Sequence, residues 1–180
     1  STPPRSSAAS DVYKRQAYAL NLEGEPNQII ESHRQELLDI YEECCLTYTK
    51  MFDGVEEVLN ELNEKKIKWG IITNKPRRFA EGIVQNKLGK LKPPFLICPD
   101  DVGTRKPEPD GLLHALTISS SKPENSIYIG DHQIDIKAGE RANMLTGAAA
   151  YGYIPLNDTV NKWKADYVFD EANEIIALVE

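Results

Sequence analysis

The sequence predicts a doubly wound α/β domain built on a parallel sheet, spanning residues 51–180. Two observations carry that prediction: short strand-like runs alternate with amphipathic, helix-spaced segments, and those intervening segments are long enough to cross over between parallel strands. With 180 residues, 41% of them hydrophobic, the chain can bury one substantial core and little more.

Residues 1–16, STPPRSSAASDVYKRQ, are rich in Ser, Pro and Ala and lack apolar periodicity, so they read as a disordered or non-native extension. Between 28 and 48, Ile30, Leu37, Tyr41, Cys44 and Tyr48 recur at helical spacing among charged residues. A second helix is expected from Val55 to Lys65, with Val55, Val58, Leu59 and Leu62 on one side. The period then shortens. IKWGIIT (67–73) reads as a strand, and NKP supplies the turn into a helix at 77–88. The alternation continues with strand 95–98, helix 110–119, strand 126–130, helix 134–143, strand 146–151, a polar helix near 158–164, strand 166–169 and a closing helix at 172–179.

Lys and Arg total 21 against 28 Asp and Glu, a formal charge of −7. That balance argues against nucleic acid or an anionic membrane as partner, and an anionic substrate would need locally placed cations. No apolar run approaches the ~18 residues of a membrane span, and the reading is of a cytoplasmic protein. Cys44, Cys45 and Cys98 form no C-x-x-C pair and read as buried free thiols. Oligomeric state is not fixed by the sequence.

Open parallel sheets bind ligands beyond the carboxyl ends of their strands. Thr73 and Asn74 follow the first strand, Lys106 lies in the loop after the second, and Asp131 and Asp135 follow the third. Two carboxylates on one loop suit a hard divalent cation such as Mg²⁺, which takes one or two protein carboxylates and completes its shell with water and phosphate. A lysine supplies fixed positive charge for phosphate oxygens, and a strand-end Thr with the next backbone N–H can bind the same group. Taken singly, each has an ordinary explanation as turn residue, solvated lysine or helix-capping carboxylate. Their placement at three successive strand ends describes a phosphoryl-transfer site.

IITNK (71–75), RKPEP (105–109) and IGDHQID (129–135) resemble the second, third and fourth motifs of the haloacid dehalogenase superfamily. PDDVGTRKPEPDGLLHA together with AAAYGYIP leans towards its phosphoglycolate phosphatase-like branch with a helical cap. The resemblance implies a Mg²⁺-dependent phosphatase acting on a small phosphorylated metabolite, 2-phosphoglycolate-like, through an aspartyl-phosphate. It also implies roles: Thr73 binds the phosphoryl group with the backbone N–H of Asn74, Lys106 neutralises the phosphoaspartate, Asp131 ligates Mg²⁺, and Asp135 does so through water or holds Lys106. Residues 17–50 would be the remnant of the cap.

The family's first motif, a strand ending in D-x-D-G-T that supplies the nucleophile, has no counterpart among these residues. PDDVGT (99–104) lacks the second aspartate at the required spacing and belongs to the loop before Lys106. In this fold the missing strand is central, so two inner edges should lie open, or residues 17–22, AYALNL, should fill the slot without carboxylates. A covalent mechanism without its nucleophile does not run, and this stretch is expected to be inactive alone. Two alternatives stand: a phosphate-binding or regulatory module without a nucleophile, and a sugar-phosphate mutase. A dehalogenase, needing no metal, fits the aspartate pair less well. His132, between the two aspartates, reads as a solvent-facing loop residue or a substrate contact. Arg77 and Arg78 read as a solvated helix face or as partners for a substrate carboxylate. His33 and His114 lie on helices without an evident partner.

Overall fold

The computed structural model describes Tyr41, Leu46, Thr47 and residues 49–179. The chain divides into two compact units, residues 1–48 and 49–180. In the first, the three described residues are helical. The rest of the expected 28–48 helix, the 1–16 extension, AYALNL, His33, Cys44 and Cys45 lie outside the described residues.

The second unit alternates as the sequence predicts. Helix α1 (Val55–Glu64) leads to strand β1 (Ile71–Ile72), helix α2 (Arg77–Leu88), strand β2 (Leu96–Ile97), a single helical turn α3 (Pro99–Val102) and helix α4 (Asp110–Ser119). Strand β3 (Ile127–Gly130), helix α5 (Gln133–Arg141), strand β4 (Leu145–Ala149) and strand β5 (Tyr167–Phe169) complete it. The predicted last two helices are 3-10 turns, Val160–Lys162 and Ala172–Leu178.

All pairings are parallel, but the strands form two sheets, β1–β2 and β3–β4–β5. Among the described residues no strand joins β1 to β3. The ladder explains which groups face that gap. Ile71 N donates to Phe95 O and Thr73 N to Ile97 O, both at 3.0 Å, so alternation turns the N–H and C=O of Ile72 away from β2.

The core mixes small aliphatic residues with a few aromatic rings. Leu112, Ala138 and Ala142 pack with Ile72, Tyr128 and Met144, while Ile136, Ala148 and Trp163 form a second cluster. Small residues on α5 and β4 let helix and sheet approach closely: a Cβ on Gly139 would stand 2.6 Å from Thr146 Cγ2. No described helix is long and apolar enough to cross a membrane.

Candidate active site

The loops that leave β1, β2 and β3 converge on Lys106. Its ammonium lies 2.7 Å from Asp135 Oδ1 and donates to the Tyr128 hydroxyl at 2.7 Å and to Ile72 O at 3.3 Å. Tyr128 in turn donates to Ile72 O at 3.1 Å. The lysine backbone is fixed too. Asn74 accepts from Lys106 N through Oδ1 at 2.9 Å and donates to Lys106 O through Nδ2 at 3.1 Å. This reciprocal clamp ties the β1 loop to the loop after β2.

Both members of the ion pair are largely out of water, with Lys106 and Asp135 side chains 12% and 7% exposed. Burial opposes the lysine charge, yet Tyr128 and Asp135 together outweigh it and the Lys106 pKa rises. Tyr128 is pushed up from 10.0 to about 12, chiefly by burial and against the pull of Lys106. The centre therefore carries a protonated lysine and a neutral phenol at neutral pH.

Asp135 also builds the start of α5. Its Oδ2 accepts from His132 N at 3.1 Å, and His132 Nδ1 accepts from Ile134 N at 3.3 Å, closing the cap from both sides. His132 is thus a capping residue whose ring stacks on Trp163 at 6.5 Å, rather than a loop side chain turned to solvent. The strand-to-helix turn needs glycine at 130, because a Cβ there would stand 2.4 Å from Asp135 Cβ.

Asp131 sits on the same turn and accepts from Tyr153 N at 2.9 Å. The chain after β4 reaches it by way of Gly152, where a Cβ would meet Asp131 Cβ at 2.3 Å. Beside it, Tyr151 and Tyr153 contact Phe52 at ring separations of 5.6 and 5.2 Å. Burial and the Asp131 charge both raise the Tyr151 pKa. Thr73 Oγ1 accepts from Lys75 N at 3.1 Å, a turn contact that leaves its proton for another acceptor.

The PDDVGT string has a structural task. Asp101 Oδ2 accepts from Cys98 N at 2.7 Å, Asp100 Oδ2 accepts from Arg77 N at 3.0 Å, and Asp101 pairs with the Arg77 guanidinium. That guanidinium holds Asp101 below the usual carboxylate range. Arg77, also bonded to Glu81 and Leu96 O, is a staple between α2 and α3. Arg78 lies over the Phe79 ring, His114 is on an exposed part of α4, and Cys98 is a buried free thiol.

Sequence reasoning missed Tyr128 and the side chain of Asn74. Period-2 alternation assigns Tyr128 to a strand face and says nothing of a hydroxyl contact 56 residues away. An Asn directly after a strand, with donors and acceptor on one short side chain, was the available signal for the clamp.

Among the described residues no group of three or more His, Cys, Asp or Glu is placed to hold a metal ion. The donor set nevertheless fits Mg²⁺, which needs no all-protein cage. Asp131 is the direct candidate. Both Asp135 oxygens face protein donors, which suits contact through water.

Residues 9–149 match the family profile described as haloacid dehalogenase-like hydrolase, and the chain belongs to that family. It is 38% identical over 151 residues to the N-acetylmuramic acid 6-phosphate phosphatase of Pseudomonas aeruginosa, covering 84% of this chain and 67% of the relative. A phosphoglycolate phosphatase of Xanthomonas campestris pv. campestris is 34% identical, covering 78% and 63%. The chain spans about two thirds of the length of these relatives. Its class within the family is that of the phosphomonoester hydrolases. The solved structure of a predicted phosphoglycolate phosphatase from Haemophilus somnus shares the fold, with a TM-score of 0.79 at 20% identity over 86% of this chain and 68% of the other. A haloacid dehalogenase-like protein from Agrobacterium tumefaciens has a TM-score of 0.71 at 18% identity, over 94% and 76%.

Proposed function

We propose that these residues are the phosphoryl-handling half of a Mg²⁺-dependent, cytoplasmic phosphatase for a small phosphorylated metabolite. The observation that carries this is the largely buried Lys106, its ammonium held by Asp135 and Tyr128 and its backbone by Asn74, where the loops after β1, β2 and β3 meet. Lys106 would supply the charge that meets the phosphoryl oxygens, and the Thr73 hydroxyl with the Asn74 N–H would donate to the same group. Asp131 would hold the metal and Asp135 would keep Lys106 aimed. Bound Mg²⁺ would offset charge on the phosphoryl group. No two aspartates in the sequence stand two positions apart, so the attacking carboxylate is not among these residues and turnover belongs to a protein that includes it. In the same reading, residues 17–50 belong to a cap and the gap between β1 and β3 is the seat of the strand that carries the nucleophile.

A substrate larger than 2-phosphoglycolate is the second reading. The Phe52, Tyr151 and Tyr153 rings stand beside Asp131, and Tyr153 is 81% exposed, which offers an aromatic surface to a sugar such as N-acetylmuramic acid 6-phosphate. The test is an extended chain carrying an upstream D-x-D strand, assayed on both compounds with Mg²⁺ and with EDTA. Phosphate release that EDTA abolishes is expected, and the ratio of kcat/KM values separates the two substrates. A correctly folded extended protein that releases no phosphate from either would leave the binding-module alternative as the better account.

A further inference from the structure

We propose that the loop carrying Lys106 is seated on one internal water molecule held by the Thr104 hydroxyl, and that Thr104 acts through this water as a positioning residue for the loop. Among the described residues, Thr104 Oγ1 is a buried oxygen without a hydrogen-bond partner. A hydroxyl left so forfeits the hydration it had in the unfolded chain, and folded proteins seldom leave one unpaired. Thr104 lines a cavity of about 10 Å³, close to the least that admits one water. The cavity lies at the carboxyl ends of the paired strands β1 and β2, against α3 and the start of α4, so described elements wall it. Ile72, Ile97, Val102 and Gly111 form the apolar part of the wall and offer the hydroxyl no side-chain partner.

A buried water needs two to four polar partners, and the rest of the lining supplies them. Asn74 Nδ2 has two protons and donates one to Lys106 O at 3.1 Å, leaving the other unused among the described residues. The Thr73 hydroxyl accepts from Lys75 N at 3.1 Å and keeps its own proton. The Cys98 thiol accepts a backbone N–H where it caps α3, and its proton is also unused among the described residues. Asn74, Thr73 and Cys98 line the same cavity as Thr104. A water accepts from such donors and donates to the Thr104 oxygen, which joins groups that make no direct bond to one another. Gly103, at φ +74°, turns the chain out of α3, so Thr104 is the first side chain that can anchor the loop leading to Lys106. The water thus ties that loop to the end of β1, next to the Asn74 clamp on the Lys106 backbone.

The experiment uses the full chain with Thr104→Val, which keeps the shape and removes the hydroxyl, and Thr104→Ser, which keeps the hydroxyl. Relaxation dispersion of ¹⁷O in the solvent counts waters held longer than the protein tumbles. Thr104→Val should lose about one such water and Thr104→Ser none. Hydrogen exchange at the Lys106 amide should quicken about fivefold in Thr104→Val and return to the wild-type rate in Thr104→Ser. A hydroxyl that is simply unpaired gives the opposite pattern, because valine then removes an unmet polar group. Unchanged dispersion, a higher urea midpoint and unmoved Lys106 exchange in Thr104→Val would therefore overturn the proposal. One further arm rests on the phosphate-handling reading above. Calorimetric affinity for inorganic phosphate with Mg²⁺ should fall by a similar factor in Thr104→Val and recover in Thr104→Ser. Equal affinity in all three chains would overturn the positioning role while leaving the phosphate site standing. Absence of phosphate binding to the unmodified chain would overturn the phosphate reading alone, since dispersion and exchange decide the water and the loop without it.

Discussion

Replacing Asp135 by Asn tests the ion pair at the centre of the site. The amide oxygen can still accept from His132 N, so the helix cap survives and the change isolates the charge. With both side chains nearly out of water, removing one partner of such a pair costs about 3–5 kcal/mol. A ceiling follows from proton release: a lysine with an ordinary pKa of 10.5 can be neutralised at pH 7 for about 5 kcal/mol, at roughly 1.36 kcal/mol per unit. Against a total stability of about 5–15 kcal/mol, the loss should be plain in urea unfolding followed by Trp69 and Trp163 fluorescence. Lys106→Met should also destabilise, because it leaves the Asp135 carboxylate without its largely buried partner. The double variant should be more stable than the sum of the single effects predicts, by at least about 2 kcal/mol. A loss below about 1 kcal/mol for Asp135→Asn, or strict additivity, would refute the buried-pair argument.

Other expectations follow from particular contacts. Gly130→Ala should cost about 2–3 kcal/mol in the same unfolding assay and weaken phosphate binding, because the new Cβ collides with Asp135, whereas Gly103→Ala, with nothing within 4 Å but φ +74°, should cost only about 1–2 kcal/mol. Asn74→Ala removes both arms of the clamp on Lys106 and should destabilise by about 1–3 kcal/mol. Stability should also fall above pH 10. Unfolded Tyr128 loses its proton near 10.0 while the folded form keeps it until about 12, so the folded state holds more protons in that window and loses about 1.4 kcal/mol per pH unit. The raised pKa of Lys106 acts in the same direction. Urea midpoints between pH 9 and 11 that do not decline would contradict both.

Much of this site was legible because its residues follow strands, and strand ends are where period-2 runs stop. Thr73, Asn74, Lys106, Asp131 and Asp135 could each be placed from local sequence, and the structure gathers Asn74, Lys106 and Asp135 into direct contact. Strand lengths were less legible. IKWGIIT suggested seven residues, but only Ile71 and Ile72 form a strand, since their ladder partners are confined to the short segment around Leu96 and Ile97. Apolar periodicity marks residues that want burial, not the extent of a neighbour. The closing helices differ for a related reason: in 160–162 and 172–178 the spacing is helical but the chain forms 3-10 turns. The reach of Tyr128 to Ile72 is a tertiary fact with no local signature.

The central claim, that the strand ends around Lys106 bind the phosphoryl group, is tested most directly by titrating inorganic phosphate and Mg²⁺ into the ¹⁵N-labelled chain and mapping the amide shifts. The account predicts saturable shifts concentrated at Thr73, Asn74, Lys106 and Asp131. Shifts that instead gather around the apolar cleft lined by Met51, Leu59 and Trp69, or none at millimolar phosphate, would contradict it.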